Sequence, residues 1–140
     1  MSESQIKFHS ECDFELKNPH PIMGCIQAVV KQEGKHIGEI NFIFCDDEFL
    51  HKINLEFLEH DSYTDIITFD YSVGDELISE IYISVERVKE NAPDYSESFE
   101  EELDRVVIHG MLHLCGYKDK SDEEEAIMRE KENYYLSLRP

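Results

Sequence analysis

The stretch HGMLHLCGYKD, residues 109–119, sets His109 and His113 four residues apart, with a glycine at 116 and Asp119 six residues past the second histidine. On a helix, side chains four apart share one face, about 5–6 Å between Cβ atoms. Their imidazoles can therefore reach one ion at ~2.0–2.1 Å. Gly116 then breaks the helix and turns the chain, so that Asp119 can return as a third ligand, its carboxylate suited to zinc at ~2.0–2.2 Å. Asp122 and Glu123 are alternative oxygen donors. Three protein ligands with one position left open are the arrangement of a catalytic zinc site rather than a closed structural one. A carboxylate is a harder ligand than imidazole, so Mn²⁺ and Ni²⁺ stay open beside Zn²⁺. The second ring nitrogens need buried acceptors, and Asp104 lies too far along the helix to be assumed one.

The spacing is that of the metalloprotease pattern H-E-x-x-H-x-x-G-x-x-H, in which the glutamate activates the metal-bound water. Here that position is Gly110. Glycine accepts no proton, so ordinary peptide hydrolysis loses its base. It also costs about 1 kcal/mol in helix propensity. Two reasons to tolerate it stand open: close approach of another backbone or of substrate, and packing against a sheet.

The elements that must hold these residues read as follows. A short strand covers Ile6 to Phe8. NPHPIMGCIQAVVKQEGK starts at two prolines and ends at Gly34, with Ile22, Ile26, Val29 and Val30 at near-helical spacing. HIGEINFIFCDD is a strand whose terminal acids cap the helix EFLHKINLEFLEH, where Leu50, Ile53 and Phe57 define one face. TDIITFDY and ELISEIYIS are strands separated by a Gly74-Asp75 turn. Ser84 caps a short helix, VERVKENA, that Pro93 stops. The next helix runs from near Ser98 to Cys115, facing the core with Leu103, Val106 and Val107. Ser121 and Glu124 form a capping box for DEEEAIMREKENYYLSL. The reading is α+β: a single domain over residues 1–140, a small mixed β-sheet packed with helices, zinc-hydrolase-like.

The chain of 140 residues carries 32 acidic against 13 basic side chains, a formal net charge of −19. That charge repels phosphate backbones at long range and argues against a non-specific nucleic-acid binder. Cys12, Cys25, Cys45 and Cys115 form no CxxC pair and sit among apolar residues, as reduced core thiols do. No apolar run approaches the ~18 residues of a membrane span, and the N-terminus has no signal-peptide pattern. A cytoplasmic location is expected.

The segment from His109 through Gly110, Leu112, His113, Leu114, Gly116 and Tyr117 resembles the signature H-G-x-L-H-L-x-G-Y-D-H of the YbeY endoribonuclease family, the bacterial rRNA maturation factors. YTDIITFDY (residues 63–71) is similar to that family's Thr-Asp-Val-Leu-Ser-Phe stretch, and ISEIYIS (residues 78–84) to its Gly-Asp-Ile strand. The resemblance implies an α+β domain, one zinc ion, and cleavage of single-stranded RNA. It further implies maturation of the 3′ end of small-subunit (16S) rRNA and a part in ribosome quality control, with the small subunit or a ribosomal protein as partner. The metal ligands and catalytic residues carried over are His109, His113 and Asp119.

Three departures accompany it. Lys118-Asp119 stands where the family has Asp-His. Leu58 falls where an arginine is usual. Ser79-Glu80 replaces Gly-Asp. Lys118 and Lys120 are then the candidates for cationic contact with RNA, and His60 for a proton shuttle or phosphate contact. Thr64 and Asp65 are expected to stabilise the loop at the site rather than do chemistry. With no glutamate at 110, metal-bound hydroxide is the expected base, with the ribose 2′-hydroxyl as the alternative nucleophile. Two other readings carry different outcomes: a ribosome-associated binding module with a structural metal, and a metal-dependent hydrolase of another substrate.

Overall fold

The computed structural model describes residues 5–59 and 64–139. Its elements are β1 (Ile6–Ser10), α1 (His20–Gln32), β2 (His36–Cys45), α2 (Asp47–Leu58), β3 (Ile66–Asp70), β4 (Glu76–Ser84), α3 (Val85–Asn91), α4 (Phe99–Leu114) and α5 (Asp122–Leu136), with a 3-10 turn over Ala92–Tyr95. The four strands form one mixed sheet in the order β1-β2-β4-β3. β1, β2 and β4 run parallel, and β3 returns antiparallel along β4 as an edge strand.

Alternation along the central strands decides where the core lies. Phe42 pairs with Ile81 and Phe44 with Ile83, and all four are buried. On that face they meet Ile26 and Val29 of α1 and Val107, Ile108, Met111 and Leu112 of α4. The other face carries a smaller cluster, Cys45, Leu50 and Ile67, under α2. At Gly38, where the β2–β4 register shifts, an added Cβ would lie 2.8 Å from the Ile78 side chain, so the close approach of the strands requires glycine.

The capping chemistry is as expected at three helices. Asp46 accepts from Phe49 N–H, Ser84 from Arg87 N–H and Ser121 from Glu124 N–H. Ser98 caps α4 through a second reciprocal box, with Glu101. On α2, Leu50 is buried and Ile53 packs beside it on the small cluster, while the second buried position is Asn54. Phe57 shares that face, meeting Phe69 edge to face with ring centroids 6.1 Å apart, but in the last turn it stays 63% exposed. The four cysteines are free thiols, with Cys25 and Cys45 buried. Among the described residues no helix is long and apolar enough to cross a membrane.

Candidate metal centre

α4 is the helix on which the site depends. Packed against the sheet, α1 and α5, it buries Val106, Val107, Ile108, Gly110, Met111 and Leu112, while His109 and His113 emerge from its last two turns. Their rings lie 4.7 Å apart, edge to face. Beyond Leu114 the chain closes a Schellman turn: Gly116 N–H donates to the His113 carbonyl and Tyr117 N–H to that of Leu112, each at 3.0 Å. Gly116 takes φ +104°, which an L side chain rarely adopts. The exit turn is pinned from α1, because Glu33 accepts from Tyr117 Oη at 3.0 Å and from Tyr135 Oη at 2.6 Å.

Asp119 is thereby brought back over the two histidines. Its Oδ2 lies 3.1 Å from His109 Nε2 and 3.4 Å from His113 Nε2. Among the described residues these are the one group of three donors gathered within 4.8 Å. The donors of a tetrahedral ion bound at ~2.0–2.1 Å stand about 3.3 Å apart, so both contacts of Asp119 match zinc dimensions. Asp122 and Glu123 instead occupy the first turn of α5, where acids complement the helix dipole.

The orientation of His109 is fixed from behind. Its Nδ1 hydrogen-bonds to Glu132 Oε2 at 2.7 Å, which leaves Nε2 facing the cluster. Glu132 is almost fully buried, and its other oxygen accepts from Arg105 Nη1 at 3.1 Å. Arg105 turns its Nε and Nη2 to Glu97. Burial alone would lower the His109 pKa, but the bond to Glu132 and the charges of Glu132, Asp119 and Asp65 raise it above the ordinary value.

Asp104, the acid set aside from the sequence, pairs with Arg139 on another side of the helix. Glu132 and Arg105 were not legible as site residues. The available signal was an acid in an apolar stripe, since Met128, Glu132, Tyr135 and Leu136 are the buried positions of α5.

Gly110 resolves the open question at the glutamate position. An added Cβ would lie 3.0 Å from Ile66 Cδ1 and 3.5 Å from two atoms of Ile81, so the glycine is there for sheet packing. Asp65 lines the cavity beside His109, and burial raises its carboxyl above the usual range. Leu58 is exposed at the end of α2, as are Lys118 and Lys120 after α4. Ser79, in the Gly position of the Gly-Asp strand, is buried and donates to the Phe69 carbonyl at 2.6 Å, tying β4 to β3. His60 lies outside the described residues.

Glu102, in the first turn of α4, is also buried. Burial, Glu97 and Asp65 push its carboxyl up to about 7. The folded protein therefore holds this proton to higher pH than the unfolded chain does, and stability falls as pH rises from about 4.5 to about 7. Glu102→Gln keeps a donor toward Glu97 and removes the titration. It is expected to stabilise the protein by on the order of 1–3 kcal/mol above pH 7 and by little near pH 4.5. Thermal melts of both proteins across that range measure the difference, and a gap independent of pH would contradict it.

Together, the mixed sheet, the central buried helix and the open His-His-Asp cluster define an α+β protein able to coordinate a metal ion. The family model of endoribonuclease YbeY matches residues 7–138, and the chain belongs to that family. It is 54% identical over 133 residues to the endoribonuclease YbeY of Flavobacterium johnsoniae, covering 95% of this chain and 96% of that one. To its counterpart in Christiangramia forsetii it is 52% identical over 138 residues, covering 99% and 96%. The solution structure of TM1509 from Thermotoga maritima superposes with a TM-score of 0.65 at 30% identity, covering 94% of this chain and 87% of that one.

Proposed function

We propose that the protein is a metal-dependent endoribonuclease that cleaves single-stranded RNA, matures the 3′ end of small-subunit rRNA and serves ribosome quality control in the cytoplasm. The observation that carries this reading is the convergence of His109, His113 and Asp119 within 4.8 Å of one another, in a chain of the YbeY family. The proposed ion is Zn²⁺, and the fold is read as a single zinc-hydrolase-like domain. When bound there, zinc supplies Lewis acidity toward a phosphoryl oxygen and lowers the pKa of an attacking water.

The chain's own residues supply the rest. Glu132 fixes the His109 ring so that Nε2 faces the ligand position, and Arg105 holds Glu132 in place. Asp119 adds a negative oxygen on a turn anchored by Glu33 and Tyr117. Lys118 and Lys120 flank it and offer charge to a phosphate backbone. With −19 overall, these few cations do not collect free RNA, which supports delivery of the strand on a ribosomal particle.

The test joins metal content to cleavage. Purified protein is expected to hold about one zinc per chain, and to cut single-stranded RNA only when loaded. His113→Ala should lose both properties while retaining its circular dichroism spectrum. Stoichiometric zinc in Asp119→Ala would remove the aspartate from the ligand set. Full RNA cleavage by His113→Ala would end the proposal.

A further inference from the structure

α5 turns one flank toward the metal cluster. Glu125, Arg129 and Glu132, at i, i+4 and i+7, line a cavity of about 290 Å³ that they share with His109, Asp119 and Tyr95. Ligand pockets run from roughly 300 Å³ upward, so this one holds about one nucleotide unit rather than a run of chain. Arg129 stands apart from the other arginines. Arg87 hydrogen-bonds to Asp47, Arg105 to Glu97 and Glu132, and Arg139 to Asp104. In a chain with 32 acids against 13 bases, that is the ordinary outcome. Arg129 escapes it. Glu125 lies four residues before it, the favourable order for a helical ion pair. Yet the carboxylate within reach is Glu132, whose Oε1 is 3.9 Å from Nη1 and too far to accept a hydrogen bond. The guanidinium lies instead over the Tyr95 ring, 4.8 Å from its centroid. A cation–π contact uses up no acceptor, so among the described residues the guanidinium N–H donors stay unmatched.

We propose that Arg129 is a substrate-binding residue that grips one phosphate of the RNA strand beside the metal cluster, with Tyr95 as the positioning residue that holds its guanidinium at the cavity. The inference rests on the endoribonuclease reading and assigns one of its backbone contacts. The platform under the guanidinium is fixed. Tyr95 closes the 3-10 turn Ala92–Tyr95, which Pro93 stiffens and Ser96 ends at φ +56°. Ser96 and Glu97 N–H donate back to the Pro93 and Ala92 carbonyls, each at 3.1 Å. The rest of the wall has no guanidinium to spare, since Arg105 is divided between two carboxylates. The acids along it, Asp65, Asp119 and Glu125 among them, confine an anion to the Arg129 end. Arginine suits the task. Its plane rests on a ring while its edge meets two phosphate oxygens, which the point charge of a lysine does not do.

Binding of a short fluorescein-labelled single-stranded RNA to the full-length protein, read by anisotropy immediately after mixing, tests this apart from turnover. Each phosphate contact on a single strand contributes about 0.7 to the slope of log affinity against log salt. Arg129→Gln is expected to weaken binding about tenfold and to flatten that slope by about 0.7, with zinc content and circular dichroism unchanged. Arg129→Lys should keep the slope and recover only part of the affinity. Tyr95→Ala should weaken binding, and Tyr95→Phe should match the parent. Unchanged affinity and slope in Arg129→Gln overturns the contact. So does loss of zinc from that variant, which would make Arg129 a support of the metal ligands instead. Inorganic phosphate that binds the parent but not Arg129→Gln, with RNA affinity equal in both, would assign the residue to a free anion and likewise overturn it. Cleavage is scored separately. RNA binding that Arg129→Gln weakens, in a parent that cuts nothing, counts against the nuclease reading and leaves the contact standing. Cleavage by a parent whose Arg129→Gln variant binds equally well counts against the contact alone, and no RNA binding at all ends both.

Discussion

Glu132→Ala is expected to cost about 3–5 kcal/mol of stability, the usual result of removing one partner from a buried ion pair, and about 10–100-fold in zinc affinity through the loss of an outer-shell hydrogen bond. Both losses arise from one side chain because Glu132 serves two partners. Its Oε1 meets Arg105 and its Oε2 meets His109 Nδ1, and its side chain is only 6% exposed. Without it, Arg105 keeps Glu97 but is left with one guanidinium nitrogen without its buried carboxylate partner. The His109 ring is then free to rotate or change tautomer, and its Nε2 no longer faces Asp119 by default. Urea denaturation reads the first loss and competition against a zinc chelator the second. Glu132→Gln separates them: it keeps an acceptor for the His109 N–H and the side-chain volume, so zinc affinity should recover more than stability does. Unchanged zinc affinity in Glu132→Ala would show that His109 is oriented by something else.

What the sequence revealed and what it hid divide along a physical line. Local signals were readable because they are properties of a few consecutive residues: the Gly116 turn, the Ser121-Glu124 box, the Gly74-Asp75 turn and the i, i+4 histidines. The return of Asp119 was readable for the same reason, being set by one turn of known geometry. Glu132 is 23 residues from His109, on a helix with five other acids, and which of them faces inward depends on how α5 rolls against α4. Its burial stripe, Met128-Glu132-Tyr135-Leu136, would have singled it out, but only once an acid in an apolar stripe is treated as information. Glu102 was hidden in the same way, directly before Leu103. Gly110 was recognised as anomalous, yet whether substrate or sheet approached it could be decided only when β3 and β4 were placed against the helix.

That placement sets the second large effect. Restoring the protease motif with Gly110→Glu is expected to destabilise the protein by more than about 3 kcal/mol, because overpacking a close-packed core and burying an unpaired carboxylate act together. The first atom of the new side chain already meets the Ile66 side chain at 3.0 Å and that of Ile81 at 3.5 Å, and the rest of the glutamate must be placed among these packed neighbours between α4 and the sheet. The variant should therefore gain no peptidase activity and should bind zinc more weakly, since displacing α4 moves His109 and His113 with it. Gly110→Ala isolates the first contribution: improved helix propensity, worth about 1 kcal/mol, offsets a single tight contact, and its stability should stay within about 1 kcal/mol of the parent. Thermal melts and zinc titration of the two variants distinguish the cases. A stable Gly110→Glu protein with normal zinc affinity would mean that the helix stands farther from the sheet than 3.0 Å contacts allow, and would return the glutamate position to the substrate side.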